Sequence, residues 1–205
     1  MSGILMNFRN TIIVSVVLAL IMIWAFAQVH GSYDLQFWQA VLRWVHVFFG
    51  ILWIGLLYYF NFVQIRKMPD IPADLKPAVS KYIAPEALFW FRYAALFTVL
   101  AGITLAALRG KDYAAKVFSF GFAGGYTTAD RGFTLMGIGV YLALIMFINV
   151  WGIIWPNQKI ALGIVEADAD AKARATRIAT LASRTNTLLS LPMLTSMAMY
   201  QTLFG

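Results

Sequence analysis

The stretch RWVHVFFGILWIGLLYYFNF, residues 43–62, decides the fold of this chain. After Arg43, no charged residue occurs before Arg66. A helix of about 20 apolar residues crosses the roughly 30 Å hydrocarbon core of a bilayer. Because lipid offers no hydrogen-bond partners, a spanning segment must satisfy its backbone internally, as a helix does and an open strand does not. The stretch therefore predicts a transmembrane α-helix.

The remainder of the chain has the same character. Of the 205 residues, 61% are hydrophobic and 12% are charged. This composition excludes a soluble globular enzyme, a disordered chain and a disulfide scaffold. We expect an all-α polytopic membrane protein in which residues 1–205 form a single membrane domain, a bundle of about five transmembrane helices. The predicted spans are residues 11–29, 40–64, 87–108, 133–156 and 185–204.

Lysine and arginine residues predict the orientation. The N-terminal segment and the loops after the second and fourth spans hold ten of them, whereas the opposite side holds five. The positive-inside rule therefore predicts a cytoplasmic N-terminus and an outer C-terminus. Because the net charge of +7 lies in these loops, we expect the lipid bilayer and not nucleic acid as the partner.

Two connecting segments have a pattern of their own. Residues 166–184 are rich in alanine and alternating charge, and predict a cytoplasmic amphipathic helix that runs into the fifth span. The loop after the third span, residues 111–132, reads KDYAAKVFSFGFAGGYTTADRG and is too aromatic for a solvated linker. We expect a short amphipathic piece at the membrane interface, with a re-entrant loop as the alternative.

His46 is the main candidate for a functional residue. It is the one histidine inside a span, because His30 lies in the first loop. One helical face gathers Arg43, His46, Gly50 and Trp53 at spacings of three or four residues. A neutral ring nitrogen of His46 could ligate the iron of haem b, with Gly50 leaving room for a flat macrocycle. A histidine that only hydrogen-bonds a neighbouring helix, and a proton relay, are the alternatives.

Further candidates follow from matching the depth of His46 on the other helices. Gly102 on the third span, Tyr141 on the fourth and Met197 on the fifth fall at that level. Methionine can be a second axial ligand and tyrosine a hydrogen-bond donor, while plain packing is the alternative for both. The chain has no cysteine, which excludes covalently attached c-type haem and thiolate metal sites.

The fifth span carries a polar stripe. Asn186 and Ser190 repeat at helical spacing, Pro192 follows them, and Asn149 lies inside the fourth span. Such residues commonly join helices by hydrogen bonds, and a substrate or quinone pocket is the alternative. We expect Asn186, Ser190 and Pro192 to face the bundle interior. Arg92 lies close enough to its helix start to snorkel to the interface.

Three segments together resemble one family: residues 43–62, the stretch NVWGIIWPNQK at 149–159 and the stretch SRTNTLLSLPML at 183–194. They are similar to the membrane domain of the bacterial membrane-bound urate oxidases, or urate hydroxylases. The second span is more distantly similar to membrane-bound protoporphyrinogen oxidases and copper-resistance membrane proteins. The resemblance implies a haem-related redox protein of the bacterial inner membrane. In that family a cytochrome c domain follows the membrane part. This chain has no cysteine for haem attachment, so its electron acceptor would be a separate protein.

The sequence therefore predicts a redox-associated integral membrane protein that binds haem b at His46, or the membrane subunit of an electron-transfer complex. A non-enzymatic accessory or structural subunit and a small-molecule transporter are the alternatives. The expected partners are a redox protein, other membrane subunits or further copies of this chain. No residue is assigned a catalytic role, and whether the chain is itself an enzyme is left open.

Overall fold

Helices account for nearly all of the chain in a computed structural model that describes residues 2–204. No strand occurs among these residues, which confirms the all-α prediction. After one helical turn at Ser2–Leu5, the helices are α1 (Phe8–His30), α2 (Leu35–Asp70), α3 (Lys76–Leu108), α4 (Lys111–Phe118), α5 (Thr128–Ala161) and α6 (Ala169–Leu203).

Three of the long helices contain a π-helical segment. These segments are Tyr59–Gln64 in α2, Val79–Ile83 in α3 and Asn149–Ile154 in α5. A π-segment is bonded from residue i to i+5, so it holds one residue more than the same length of α-helix, and it is frequent at functional sites. The regular α-helical parts are Leu35–Tyr58 and Ile65–Lys67 in α2, and Lys76–Ala78 and Ala84–Leu108 in α3. In α5 they are Arg131–Ile148 and Trp155–Ala161. Short 3₁₀ turns at Met68–Asp70 and Thr128–Asp130 complete α2 and α5.

Four helices, α1, α2, α3 and α5, are long and apolar enough to cross a membrane. The helix α6, which contains the fifth predicted span, is not among them, because polar side chains such as Asn186 and Ser190 lower its hydropathy. It nevertheless packs along α5. A fifth crossing and the cytoplasmic position of the N-terminus remain predictions.

The helix α6 runs without interruption from the predicted amphipathic segment into the predicted fifth span. It begins after Asp168, whose side chain accepts a hydrogen bond from the backbone N–H of Ala171 at 2.6 Å. Asn186 and Ser190 are fully buried, which confirms that they face the bundle. Pro192 is exposed, so its predicted inward position is wrong. Two residues turn an α-helix by about 200°, which places Pro192 on the side opposite Ser190.

The core lies where α2, α3, α5 and α6 meet. Its fully buried side chains include Trp53, Leu57, Phe91, Met146 and Val150. In contrast, α1 packs only loosely near the start of α2, and Ala27 is its one buried residue. Asp34, in the loop after α1, is the N-cap residue of α2. Hydrogen bonds from the backbone N–H of Phe37 and from the hydroxyl of Ser32 lower the pKa of its carboxyl to about 2.

The loop after α3 forms the short helix α4, in agreement with the amphipathic piece expected there. It lies against α5 at Gly137, where an added Cβ would meet the carbonyl oxygen of Val117 at 2.5 Å. A side chain at position 137 would therefore push the two helices apart. Val117 is buried in the contact.

An ion pair fixes α4 to the start of α5. The ammonium of Lys116 lies 2.6 Å from the carboxylate of Asp130, which also accepts hydrogen bonds from the N–H and hydroxyl of Thr127. We expect Asp130→Ala to lower the Tm, because it removes the pair and the turn-forming bonds together. The control Asp112→Ala removes an exposed carboxylate of α4 and should leave the Tm unchanged. Equal Tm values for both variants, measured by thermal unfolding in detergent, would contradict this expectation.

Candidate cofactor cavity

A cavity of about 750 Å³ lies between α2, α3, α5 and α6, with α4 at one end. Most of its wall is apolar, and this volume falls within the roughly 300–1,000 Å³ of small-molecule and cofactor sites. On α2 the cavity extends from Arg43 to Tyr58, so it follows the helical face that the sequence predicted to be functional.

The imidazole of His46 has a defined hydrogen-bonding state in this cavity. Its Nδ1 lies 2.8 Å from the backbone carbonyl oxygen of Thr98 on α3. A carbonyl only accepts hydrogen bonds, so Nδ1 carries the proton and donates it. The neutral ring then has its lone pair on Nε2. Ligating histidines in metal sites commonly have this arrangement, in which the second nitrogen donates to a backbone carbonyl or a carboxylate.

Gly102 makes space for the imidazole ring. A Cβ at this position would lie 3.0 Å from Cε1 and 3.1 Å from Nδ1 of His46. Gly50 is less constrained, because a Cβ there would meet only the methyl group of Thr98 at 3.8 Å. At Gly55, which also lines the cavity, a Cβ would meet nothing within 4 Å.

The structure brings together most of the predicted cofactor residues. Those that line this one cavity are His46, Gly50, Trp53, Gly102 and Met197. Tyr141 does not line it. Its hydroxyl donates to the carbonyl oxygen of Phe118 at 2.9 Å and its ring stacks on Phe120, because the segment after α4 folds back over this face of α5.

The predicted pocket candidates lie outside the cavity lining and bond to neighbouring helices. Asn149 donates from Nδ2 to Oδ1 of Asn186 at 2.9 Å, and Asn186 donates to the carbonyl oxygen of Met146 at 3.0 Å. The hydroxyl of Ser190 donates to the carbonyl oxygen of its own helix at Thr187, so the Tyr58 hydroxyl, 3.0 Å away, donates to Ser190. These bonds join α6 to α5 and to α2, which supports the interpretation as helix–helix contacts.

Two polar residues were not singled out correctly from sequence. Asn61, in the π-segment of α2, donates from Nδ2 to the hydroxyl of Ser183 on α6 at 2.8 Å. Arg92 was expected to snorkel, yet it is only 8% exposed and its guanidinium carbon lies 3.4 Å from the ring centroid of Trp155. The sequence carries no signal that pairs these two residues, because the cation–π contact joins α3 to α5.

Two guanidinium groups line the cavity at the end where α4 lies. Arg109 donates from Nη1 to the hydroxyl of Tyr113 at 2.9 Å, and Arg43 lies one helical turn before His46. No aspartate or glutamate belongs to the cavity lining. Over residues 2–204, no group of three or more histidine, aspartate or glutamate side chains is placed to hold a metal ion. A single histidine ligand of haem iron does not require such a group.

Comparison with known families gives one match. The family described as urate oxidase N-terminal matches residues 113–204, which is less than half of the chain. The match includes α5, α6 and two of the three segments on which the resemblance rests, and leaves out residues 43–62 with His46. It supports a relation to a urate oxidase family. No curated protein and no solved structure matches the chain.

Proposed function

We propose that this chain is a redox-associated integral membrane protein that binds haem b in the cavity, with Nε2 of His46 as an axial ligand. The observation that carries the proposal is the hydrogen bond from Nδ1 of His46 to the Thr98 carbonyl. It sets the tautomer that leaves Nε2 free to ligate, in a cavity large enough for a cofactor.

The residues of the cavity fit the group. Trp53, Ile54 and Met193 give the inner end an apolar wall, which excludes water from an apolar macrocycle. Bound haem would supply one-electron redox chemistry there. Met197 lines the same cavity and its thioether is a candidate second ligand, while a ligand from another copy of the chain and an open sixth position are the alternatives.

The relation to a urate oxidase family favours a redox role over a transporter. We propose a bacterial inner membrane as its location, with a redox protein or other membrane subunits as its partners. The apolar, loosely packed helix α1 is compatible with such a subunit role.

The test is a haem titration of purified protein in detergent, followed by the Soret band and the reduced α-band. The wild type should take up haem with saturable spectral changes. Gly102→Ala should weaken haem binding, because the added methyl group displaces the imidazole from Thr98. Gly152→Ala is the matched control, since Gly152 lies outside the cavity lining and its methyl group would make an ordinary contact with Ile148 at 4.0 Å.

A wild-type protein that remains colourless with ample haem would contradict the proposal and favour the accessory-subunit alternative. Equal haem affinity in the Gly102→Ala and Gly152→Ala variants would show that the position of the His46 ring does not govern binding.

A further inference from the structure

The end of the cavity beside α4 combines two cations with an apolar interior. We infer that Arg43 and Arg109 form a carboxylate-binding subsite that receives the two propionate groups of haem. This inference rests on the proposed function and adds a requirement to it: the occupant carries acidic groups along one edge.

Two contacts between α2 and α3 place the arginines at the same end. Nε2 of Gln39 donates to the carbonyl oxygen of Leu108 at 3.0 Å. About two turns further along α2, His46 donates to the carbonyl oxygen of Thr98. Arg109 follows Leu108, and Arg43 lies one turn beyond Gln39. At 1.5 Å per residue, counted from the Gln39 contact, the two arginine backbones differ in depth by about 8 Å. Their long side chains bridge such a distance to one ligand edge.

Neither guanidinium is neutralised by a carboxylate. Across residues 2–204, no aspartate or glutamate oxygen lies within 4.0 Å of Arg43 or Arg109. Asp130, on the nearby start of α5, is already paired with Lys116, and Asp112 is exposed on α4. A pair of unneutralised cations beside an apolar wall attracts an anion more strongly than the same cations in water.

The orientation of Arg109 is already fixed. One of its nitrogens donates to the Tyr113 hydroxyl, and its guanidinium carbon lies 4.9 Å from the centroid of that ring. The Tyr200 hydroxyl also lies close enough to interact with this guanidinium, and the N–H groups that remain of its five can donate to a carboxylate without further ordering of the side chain. Arg43 is half-buried and makes no side-chain hydrogen bond to a residue of the described chain.

The two ends of the cavity differ in polarity. The cations lie at one end and His46 lies between, while Trp53, Ile54, Met193 and Tyr58, whose hydroxyl is bonded to Ser190, form the uncharged other end. An amphiphile with its acidic groups on one edge would therefore enter in one orientation. A free carboxylate of the cofactor and the phosphate of a lipid headgroup share the chemistry that the arginines recognise, so the experiment must separate them.

The test uses protoporphyrin IX, the metal-free form of the macrocycle, and its dimethyl ester as fluorescent probes with purified full-length protein in neutral detergent. The wild type should bind the free acid at least tenfold more tightly than the diester. The Arg43→Gln, Arg109→Gln double variant should lose that preference. Arg131→Gln removes an exposed cation outside the cavity and should keep it.

Equal binding of acid and diester by the wild type, or an unchanged preference in the double variant at equal folded yield, would overturn the inference. Competition by phosphatidylglycerol and not by phosphatidylcholine would also overturn it, because the subsite would then belong to a lipid headgroup. His46→Ala should keep the preference for the free acid, since no iron is present. A wild type that takes up no haem but still prefers the free porphyrin acid would therefore show a failure of the proposed function alone, whereas haem binding without that preference would show a failure of this inference alone.

Discussion

Haem binding is expected to be lost, by at least tenfold in affinity, when His46 is replaced by alanine. The variant removes the one ring nitrogen in the cavity that is free to ligate iron, and tenfold corresponds to about 1.4 kcal/mol. The matched control is His30→Ala, because His30 lies outside the cavity, where it bonds Asp34 between α1 and α2. Absorption titrations of both variants at equal folded yield make the comparison.

A rescue experiment separates ligation from folding. His46→Gly leaves a space that free imidazole can enter, so added imidazole should restore the Soret band. An unchanged haem spectrum in the alanine variant would end the haem proposal.

Carbon monoxide binding tests whether the sixth coordination position of the iron is open. If Met197 is the second ligand, the Met197→Leu variant should bind the gas readily, whereas the wild type should resist it.

A second large effect is expected for the amide pair between α5 and α6. Asn186→Leu should lower the free energy of unfolding by about 1–3 kcal/mol, because it leaves the half-buried Asn149 amide without its partner. The matched control Thr185→Leu lies one residue earlier on the exposed side and should change stability by less than about 0.5 kcal/mol.

The double variant tests the pairing itself. With Asn149→Leu and Asn186→Leu combined, no amide remains unpaired between the two helices, so the loss should be smaller than the sum of the two single losses. Denaturant titrations in detergent measure all four proteins. Strict additivity would show that the amides do not interact. A stable Asn186→Leu variant with impaired ligand binding would instead favour the pocket interpretation.

The neighbours of His46 could be predicted from the sequence because depth follows from helix rise. Counting residues from the predicted membrane boundaries placed Gly102 level with His46, and the two are in contact. The same counting placed Tyr141 at this level but could not show its direction. That direction depends on how the segment after α4 folds back on α5, for which a span pattern carries no information.

Other features lacked a sequence signal because they arise from packing. A π-segment shifts the backbone hydrogen bonds of the helix by one residue, from i+4 to i+5. Hydropathy does not distinguish a π-segment from an α-helix. The burial of Arg92 depends on the approach of Trp155 from another helix, whereas its position near a helix start indicates only that it can reach the interface.

The π-segment of α2 also has a consequence for insertions and deletions. It lies between the cavity-lining part of the helix and the last turns of α2, and it contains Asn61, which bonds Ser183. Deleting one residue within Tyr59–Gln64 would convert the segment to regular α-helix and leave the parts on either side facing nearly as before, because the residue removed is the extra one that the π-segment holds. Deleting one residue between His46 and this segment would instead turn His46 by about 100° relative to the last turns of α2. Related chains should therefore differ by one residue within Tyr59–Gln64 far more readily than in the cavity-lining part of the helix.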